Sequence, residues 1–315
     1  MTIFIMICLG VLTYYTINTN NIFNKEEEQE EKREEESPTL SELAQEETPE
    51  NNEVKDNQPK KAIALLMRKP VDLPLWLKHH RDLGFGHFFI RVEDTPGLEE
   101  YLKTQSDITY EIADSDTQNN YDTLQTRQIA FVNKCINQSE NISWIFHVDS
   151  DELIEGDLKF LDELPEEIKT LKMQNVEAIY DGSEKTCFDA KSFVKCFKSG
   201  SCRSYANGKA GGRCIKDEVQ ALGPHDFSYK GMHNGKHLYQ IPFEQLRVLH
   251  YDSCSFGAWA EKFQHLSKKD SSESIPFNYY NESISIAASA YEAYKKHTMN
   301  TPENSEDVYT RGGSA

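Results

Sequence analysis

The chain has 315 residues, 38% of them hydrophobic, and a formal net charge of −18. That is enough apolar material for one large domain or two smaller ones. The acidic excess excludes the broad basic face on which nucleic-acid binding depends, so no nucleic-acid partner is expected.

Residues 2–17 carry no charge, slightly fewer than the roughly 17–25 residues of a spanning helix. A cleaved signal peptide is the rival reading. The absence of a small-x-small cleavage pattern and the pair Tyr14-Tyr15, suited to a membrane interface, favour an uncleaved signal anchor over 1–17. From Lys25 to Asp56 there are fourteen acids against four bases and no aromatic residue. Such a segment buries too little apolar surface to offset its ordering entropy, which predicts a disordered stalk over 18–59.

Lys60 begins an alternation of short apolar runs and amphipathic stretches. Strands are predicted at Ala62–Met67, His87–Val92, Ile108–Ile112 and Ser143–Val148. Between them lie helices at Leu73–Leu83, after Thr95-Pro96-Gly97, and at Thr123–Ile136. Four strand–helix alternations imply a mostly parallel, Rossmann-like sheet covered on both faces, built from right-handed crossovers. Beyond Glu152 the pattern loosens into a mixed-sheet half with long loops. A short helix is expected near Leu158–Leu164, a strand around Val176–Tyr180, and helices over Ser255–Ser267 and Ser285–Thr298. The folded domain is placed at 60–300, with an unstructured tail over 301–315.

The densest chemistry lies in Trp144-Ile-Phe-His-Val-Asp-Ser-Asp-Glu152, where a buried strand stops at Asp149, Asp151 and Glu152. Ligands of open α/β sheets bind beyond the carboxyl ends of the strands, so these acids are placed to face one. Two aspartates one residue apart suit Mg²⁺ or Mn²⁺, which take one or two carboxylates plus substrate phosphates. The competing explanation is a solvated acidic turn. Asn207-Gly-Lys-Ala-Gly-Gly-Arg213 offers Lys209 and Arg213 to phosphates from a flexible glycine-rich loop, or is an ordinary turn. Of the seven cysteines, Cys187, Cys196, Cys202 and Cys214 cluster without a Cys-x-x-Cys pair, which argues against zinc and leaves disulfides and buried thiols both open. Sequons occur at Asn137, Asn141 and Asn281.

Residues 61 to about 267 resemble glycosyltransferase family 2-like and family 92-like enzymes, which have the GT-A nucleotide-sugar transferase fold. The resemblance is carried by Leu75-Trp-Leu-Lys-His-His-Arg-Asp-Leu-Gly-Phe-Gly-His-Phe-Phe-Ile90, Trp144–Ile154, Ile179-Tyr-Asp-Gly-Ser183 and Leu249-His-Tyr-Asp-Ser253, in that order. It implies a metal motif of Asp149 and Asp151, support from Glu152, and a metal ligand at His250. The family's usual Arg-Asn-Glu after the first strand is Arg68-Lys69-Pro70 here. Its usual acidic turn after the second strand is Glu93-Asp94-Thr95-Pro96-Gly97. Arg68 and Asp94 are thus the residues expected near the nucleotide.

Inverting transfer needs a carboxylate to deprotonate the acceptor hydroxyl. Asp226 is the first candidate, followed by Asp181 and Asp252, and each is equally a common turn residue. His225 is either a structural hydrogen-bonder or a ligand. The resulting expectation is a metal-dependent glycosyltransferase using Mn²⁺ or Mg²⁺ and a nucleotide-diphosphate sugar. Its acceptor is a glycan or glycoprotein, and it is anchored as a type II protein in the Golgi or ER membrane with its catalytic domain in the lumen. The alternative is a cation-dependent carbohydrate-binding protein that keeps the fold without turnover.

Overall fold

A computed structural model describes residues 59–113, 121–196, 204–252, 254, 256, 259, 299 and 305–312. The expected anchor, the stalk up to residue 58, the helices over 255–267 and 285–298 and the sequon at Asn281 lie outside the described residues, apart from a few isolated positions. The described residues fall within the unit Val54–Ala315.

The first half follows the predicted alternation closely: β1 (Lys60–Met67), α1 (Leu73–Leu83), β2 (His87–Glu93), α2 (Leu98–Lys103), β3 (Ile108–Ala113), α3 (Tyr121–Gln138) and β4 (Ile142–His147). Helix α1 shows why such boundaries are readable. The Asp72 carboxylate accepts from the Leu75 N–H at 3.0 Å, Pro74 occupies the first turn, and Gly84 ends the helix at φ 111°. Each of these satisfies or removes a terminal backbone group that the helix cannot pair internally. Its buried face is Leu73, Trp76, Leu77 and His80. Strands β4, β1, β2 and β3 lie side by side and all parallel.

The second half is mixed. It comprises β5 (Glu152–Gly156), β6 (Thr170–Ile179), β7 (Ser192–Lys195), β8 (Lys209–Arg213), β9 (Val219–Ala221), β10 (Phe227–Tyr229), β11 (Leu238–Gln240), β12 (Leu246–His250) and β13 (Val308–Thr310). The main sheet runs β13-β7-β6-β8-β4-β1-β2-β3, with β8 antiparallel to both β4 and β6. Strand β12 pairs antiparallel with β5 and parallel with β6. Strands β9 and β10 form a separate hairpin. The expected helix near Leu158–Leu164 is a single 3₁₀ turn, Lys159–Asp162.

Two expectations change. The glycine-rich stretch is not a flexible loop but the central strand β8, with Lys209 through Gly212 buried. A Cβ on Gly211 would come within 2.9 Å of the Ile145 carbonyl oxygen, and one on Gly212 within 2.6 Å of Val219 Cγ1. These glycines let sheet and hairpin close on each other. Val308–Thr310, in the stretch expected to be an unstructured tail, pairs antiparallel with Ser192–Val194.

Cys187 is bonded to Cys254, Cys196 is also disulfide-bonded, and Cys135 and Cys214 carry free thiols. The partner of Cys187 lies outside the sequence cluster because the bridge is set by tertiary proximity.

Candidate functional site

Strand β4 ends at His147, and the chain turns through Val148, Asp149, Ser150 and Asp151 into β5, which starts at Glu152. Because β1, β2 and β4 are parallel, the acids share one sheet edge with the segments that follow β1 and β2. There Arg68 Nε lies 3.6 Å from Asp94 Oδ2, and the Lys69 N–H donates to Thr95 Oγ1 at 2.8 Å. Lys69 and Asp94 both take φ 45°. Beneath them Glu93, 1% exposed, accepts from the guanidiniums of Arg91 and Arg127. The two segments expected near a nucleotide are therefore adjacent, and tied to each other.

Glu152 organises the acidic turn from below. It is fully buried, and its carboxylate accepts from the Asp149 N–H at 2.7 Å, from Lys209 Nζ at 3.1 Å and from the Tyr205 hydroxyl. All three are donors, which the acceptor oxygens of a carboxylate can take, although burial raises its pKa against the opposing pull of Lys209. Helix α1 fixes the strand that carries it, Trp76 Nε1 donating to the Glu152 carbonyl at 2.7 Å. Glu152 thus ties the Asp149 backbone, Lys209 and Tyr205 together.

Asp149 is engaged on both oxygens. Oδ2 meets Lys209 Nζ at 2.5 Å, and Oδ1 accepts from Gln128 Nε2 of α3 at 3.1 Å. Burial would raise its pKa, but the Lys209 ammonium and the nearby His147 hold it well below the usual carboxylate range. Lys209 is itself 0% exposed, and Asp149 and Glu152 keep it protonated against the cost of burial. Its position follows from register: Ala210 pairs with His147, so Lys209 stands beside the end of β4.

The same register carries Arg213 away. It pairs with Trp144, near the other end of β4, about 13 Å along the strand from Lys209 at the usual rise per residue. Its guanidinium lies over the Trp144 ring and donates to the carbonyls of Ile168 and Leu164. The structure thus gives Arg213 a packing role, not the phosphate contact expected of it.

Asp151 meets the far side of the sheet. His250, the last residue of β12, pairs with Glu152 in the antiparallel ladder, and the Tyr251 N–H donates to the Asp151 carbonyl at 2.8 Å. His250 Nε2 consequently lies 3.7 Å from Asp151 Oδ2, while Nδ1 lies 3.8 Å from Glu177 Oε1 and makes no hydrogen bond. Donor atoms, one each from Asp151, His250 and Asp252, lie within 4.8 Å of one another. Asp252 also accepts from Ser204 Oγ at 2.6 Å. Although burial works against its charge, Asp151 and Glu177 raise the His250 pKa well above the ordinary value. Three carboxylates around one imidazole carry more negative charge than its protonation balances.

Asp226 immediately precedes β10. Its side chain is half exposed and accepts from Lys172 Nζ at 2.6 Å. Its neighbour His225 donates from Nδ1 to the Gly208 carbonyl at 2.7 Å, and burial together with Lys209 pushes its pKa down to about 3. The Tyr205 ring stands between His225 and His250, with centroids 4.7 Å and 5.0 Å away. Asp181 is set apart in an exposed turn, its carboxylate accepting from the Ser183 N–H. Tyr205, Gln128, Glu177 and Ser204 complete the arrangement without having been anticipated. No spacing in the sequence marks them, since Gln128 comes from α3, Glu177 from β6, and Ser204 and Tyr205 from the segment before β8.

The chain matches the sequence model of glycosyltransferase family 92 over residues 71–283. No curated protein matches it. Among solved structures it is similar to HddC from Yersinia pseudotuberculosis, at 11% identity and a TM-score of 0.36, over 64% of this chain and 99% of that one. It is also similar to the mannosyltransferase PcManGT from Pyrobaculum calidifontis in complex with GDP-Man and Mn²⁺. There the identity is 8% and the TM-score 0.32, over 71% of this chain and 66% of that one.

Proposed function

The chain belongs to glycosyltransferase family 92, and we propose that it is a cation-dependent, inverting transferase of GT-A type. In this reading it moves a sugar from a nucleotide-diphosphate donor to a glycan or glycoprotein acceptor. The observation that carries it is the convergence of Asp151, His250 and Asp252 at the sheet edge where β4 ends. Two carboxylates and one imidazole suit Mn²⁺ or Mg²⁺, and the buried Nδ1 of His250 faces the Glu177 carboxylate, which can orient the ring as a ligand.

A divalent cation bound there would neutralise the charge that develops on the departing diphosphate. The chain's own residues do the rest. Glu152 and Tyr205 hold the acidic turn rigid, so little reorganisation is needed as charge moves. Arg68 and Asp94, on the neighbouring segments, are the proposed contacts to the nucleotide. Asp226 is the proposed base: a half-exposed carboxylate next to His225, able to accept the proton of the acceptor hydroxyl if Lys172 yields it. Asp252 is reassigned here to the cation, and the exposed turn of Asp181 gives it no part.

The membrane anchor over 1–17, the stalk over 18–59 and a Golgi or ER lumenal location complete the proposal. They rest on the sequence alone.

The test is release of nucleotide diphosphate by the full chain from a panel of nucleotide sugars with Mn²⁺, alongside EDTA and Asp151→Asn. Release from one donor, abolished by both controls, supports the proposal. A folded protein that binds Mn²⁺ and glycan yet releases nothing would instead be the non-catalytic binding protein.

A further inference from the structure

The two aspartates of the Asp-x-Asp turn differ in what surrounds them. Asp151 points toward His250 and Asp252, whereas both oxygens of Asp149 are engaged, one by Lys209 Nζ and the other by Gln128 Nε2. For Asp149 to turn to a cation, the fully buried ammonium of Lys209 would lose one of its two counter-ions. Glu152 alone would then face it, and weakening the pairing of a buried charge is unfavourable. Lys209 is also rigidly placed. It follows Gly208, whose N–H donates to Asn175 Oδ1 at 3.1 Å and whose φ of +65° brings the backbone against Met173.

Resting on the metal-dependent reading above, we propose that Lys209 is a positioning residue that withholds Asp149 from the cation, which is held by Asp151, His250 and Asp252. The Asp-x-Asp is then split between two positive charges. One is built into the fold and the other is taken from solution.

The measurement is Mn²⁺ binding by the full chain, by titration calorimetry or from the decrease in the free Mn²⁺ resonance signal. Asp151→Asn and Asp252→Asn should each weaken binding about ten-fold or more, while Asp149→Asn should change it by less than about three-fold. Lys209→Met releases Asp149 as an additional carboxylate and should tighten binding several-fold, and Lys209→Arg should return it to the wild-type value. Circular dichroism establishes that each variant is folded. If Lys209→Met does not fold, the contrast between Asp149→Asn and Asp151→Asn decides the matter.

Equal weakening by Asp149→Asn and Asp151→Asn overturns the split while leaving metal dependence intact. Undiminished binding by Asp252→Asn likewise overturns the donor set. A folded Lys209→Met with unchanged or weaker binding overturns the role of Lys209. Failure of the wild-type chain to bind Mn²⁺ overturns this proposal and the metal-dependent reading together.

Discussion

Asp151 and His250 lie far apart in the chain, and they meet because an antiparallel ladder sets His250 opposite Glu152. Replacing Asp151 with Asn removes the carboxylate charge and keeps the shape, so turnover should fall about 100-fold or more with little change in melting temperature. A steady-state assay beside a thermal melt separates the two effects. Two other buried histidines, His80 and His147, bear on acid stability. His80 donates from Nδ1 to the Trp76 carbonyl and accepts the Ile154 N–H on Nε2, and burial holds its pKa well below the ordinary 6.5. Burial and Lys209 push His147 down to about 4. In the unfolded chain both would take up protons near pH 6.5, whereas the folded protein resists until well below it. Stability should therefore fall as pH drops below 6.5, by about 1.4 kcal/mol per pH unit for each such group. Urea unfolding at pH 7 and pH 5 checks this, and His80→Gln should lower stability at pH 7 while reducing the pH dependence.

Among the elements, β8 depends most on its composition. Gly208 enters it with φ +65°, and a Cβ there would lie 1.8 Å from the Met173 carbonyl oxygen. Backbone would have to move, so Gly208→Ala should destabilise the fold by about 2 kcal/mol or more, read from the midpoint of urea unfolding. Because Lys209 is the next residue, the same change should also disturb the Asp149 ion pair. Helix α1 offers a milder case. Asp72→Ala removes its cap and should cost about 1 kcal/mol. Helix and strand boundaries in this half were legible from the sequence because caps, breakers and apolar period are local. Strand β8 was not, since Lys, Ala and two glycines following Asn207-Gly208 have the composition of a turn. Only close packing against β4 and the β9–β10 hairpin makes those glycines necessary.

Across the whole molecule, Cys187–Cys254 closes a span of 67 residues that brackets β7 through β12. Loop-closure entropy for that span corresponds to about 4 kcal/mol in the chain-entropy account. Replacing Cys187 and Cys254 with alanine should lower the unfolding midpoint to match. The sequence by itself determined the α/β alternation, the parallel first half and the delivery of acids to the end of β4, because each follows from periodicity within a few residues. It also marked Asp151, His250 and Asp252 as chemical groups, without saying which would meet. Tertiary structure alone decided that Asp252 comes beside Asp151 and His250, that Lys209 takes Asp149, and that Arg213 packs on Trp144 instead. Those outcomes hang on the register between strands distant in the chain, and one residue of slip would turn every such side chain to the opposite face.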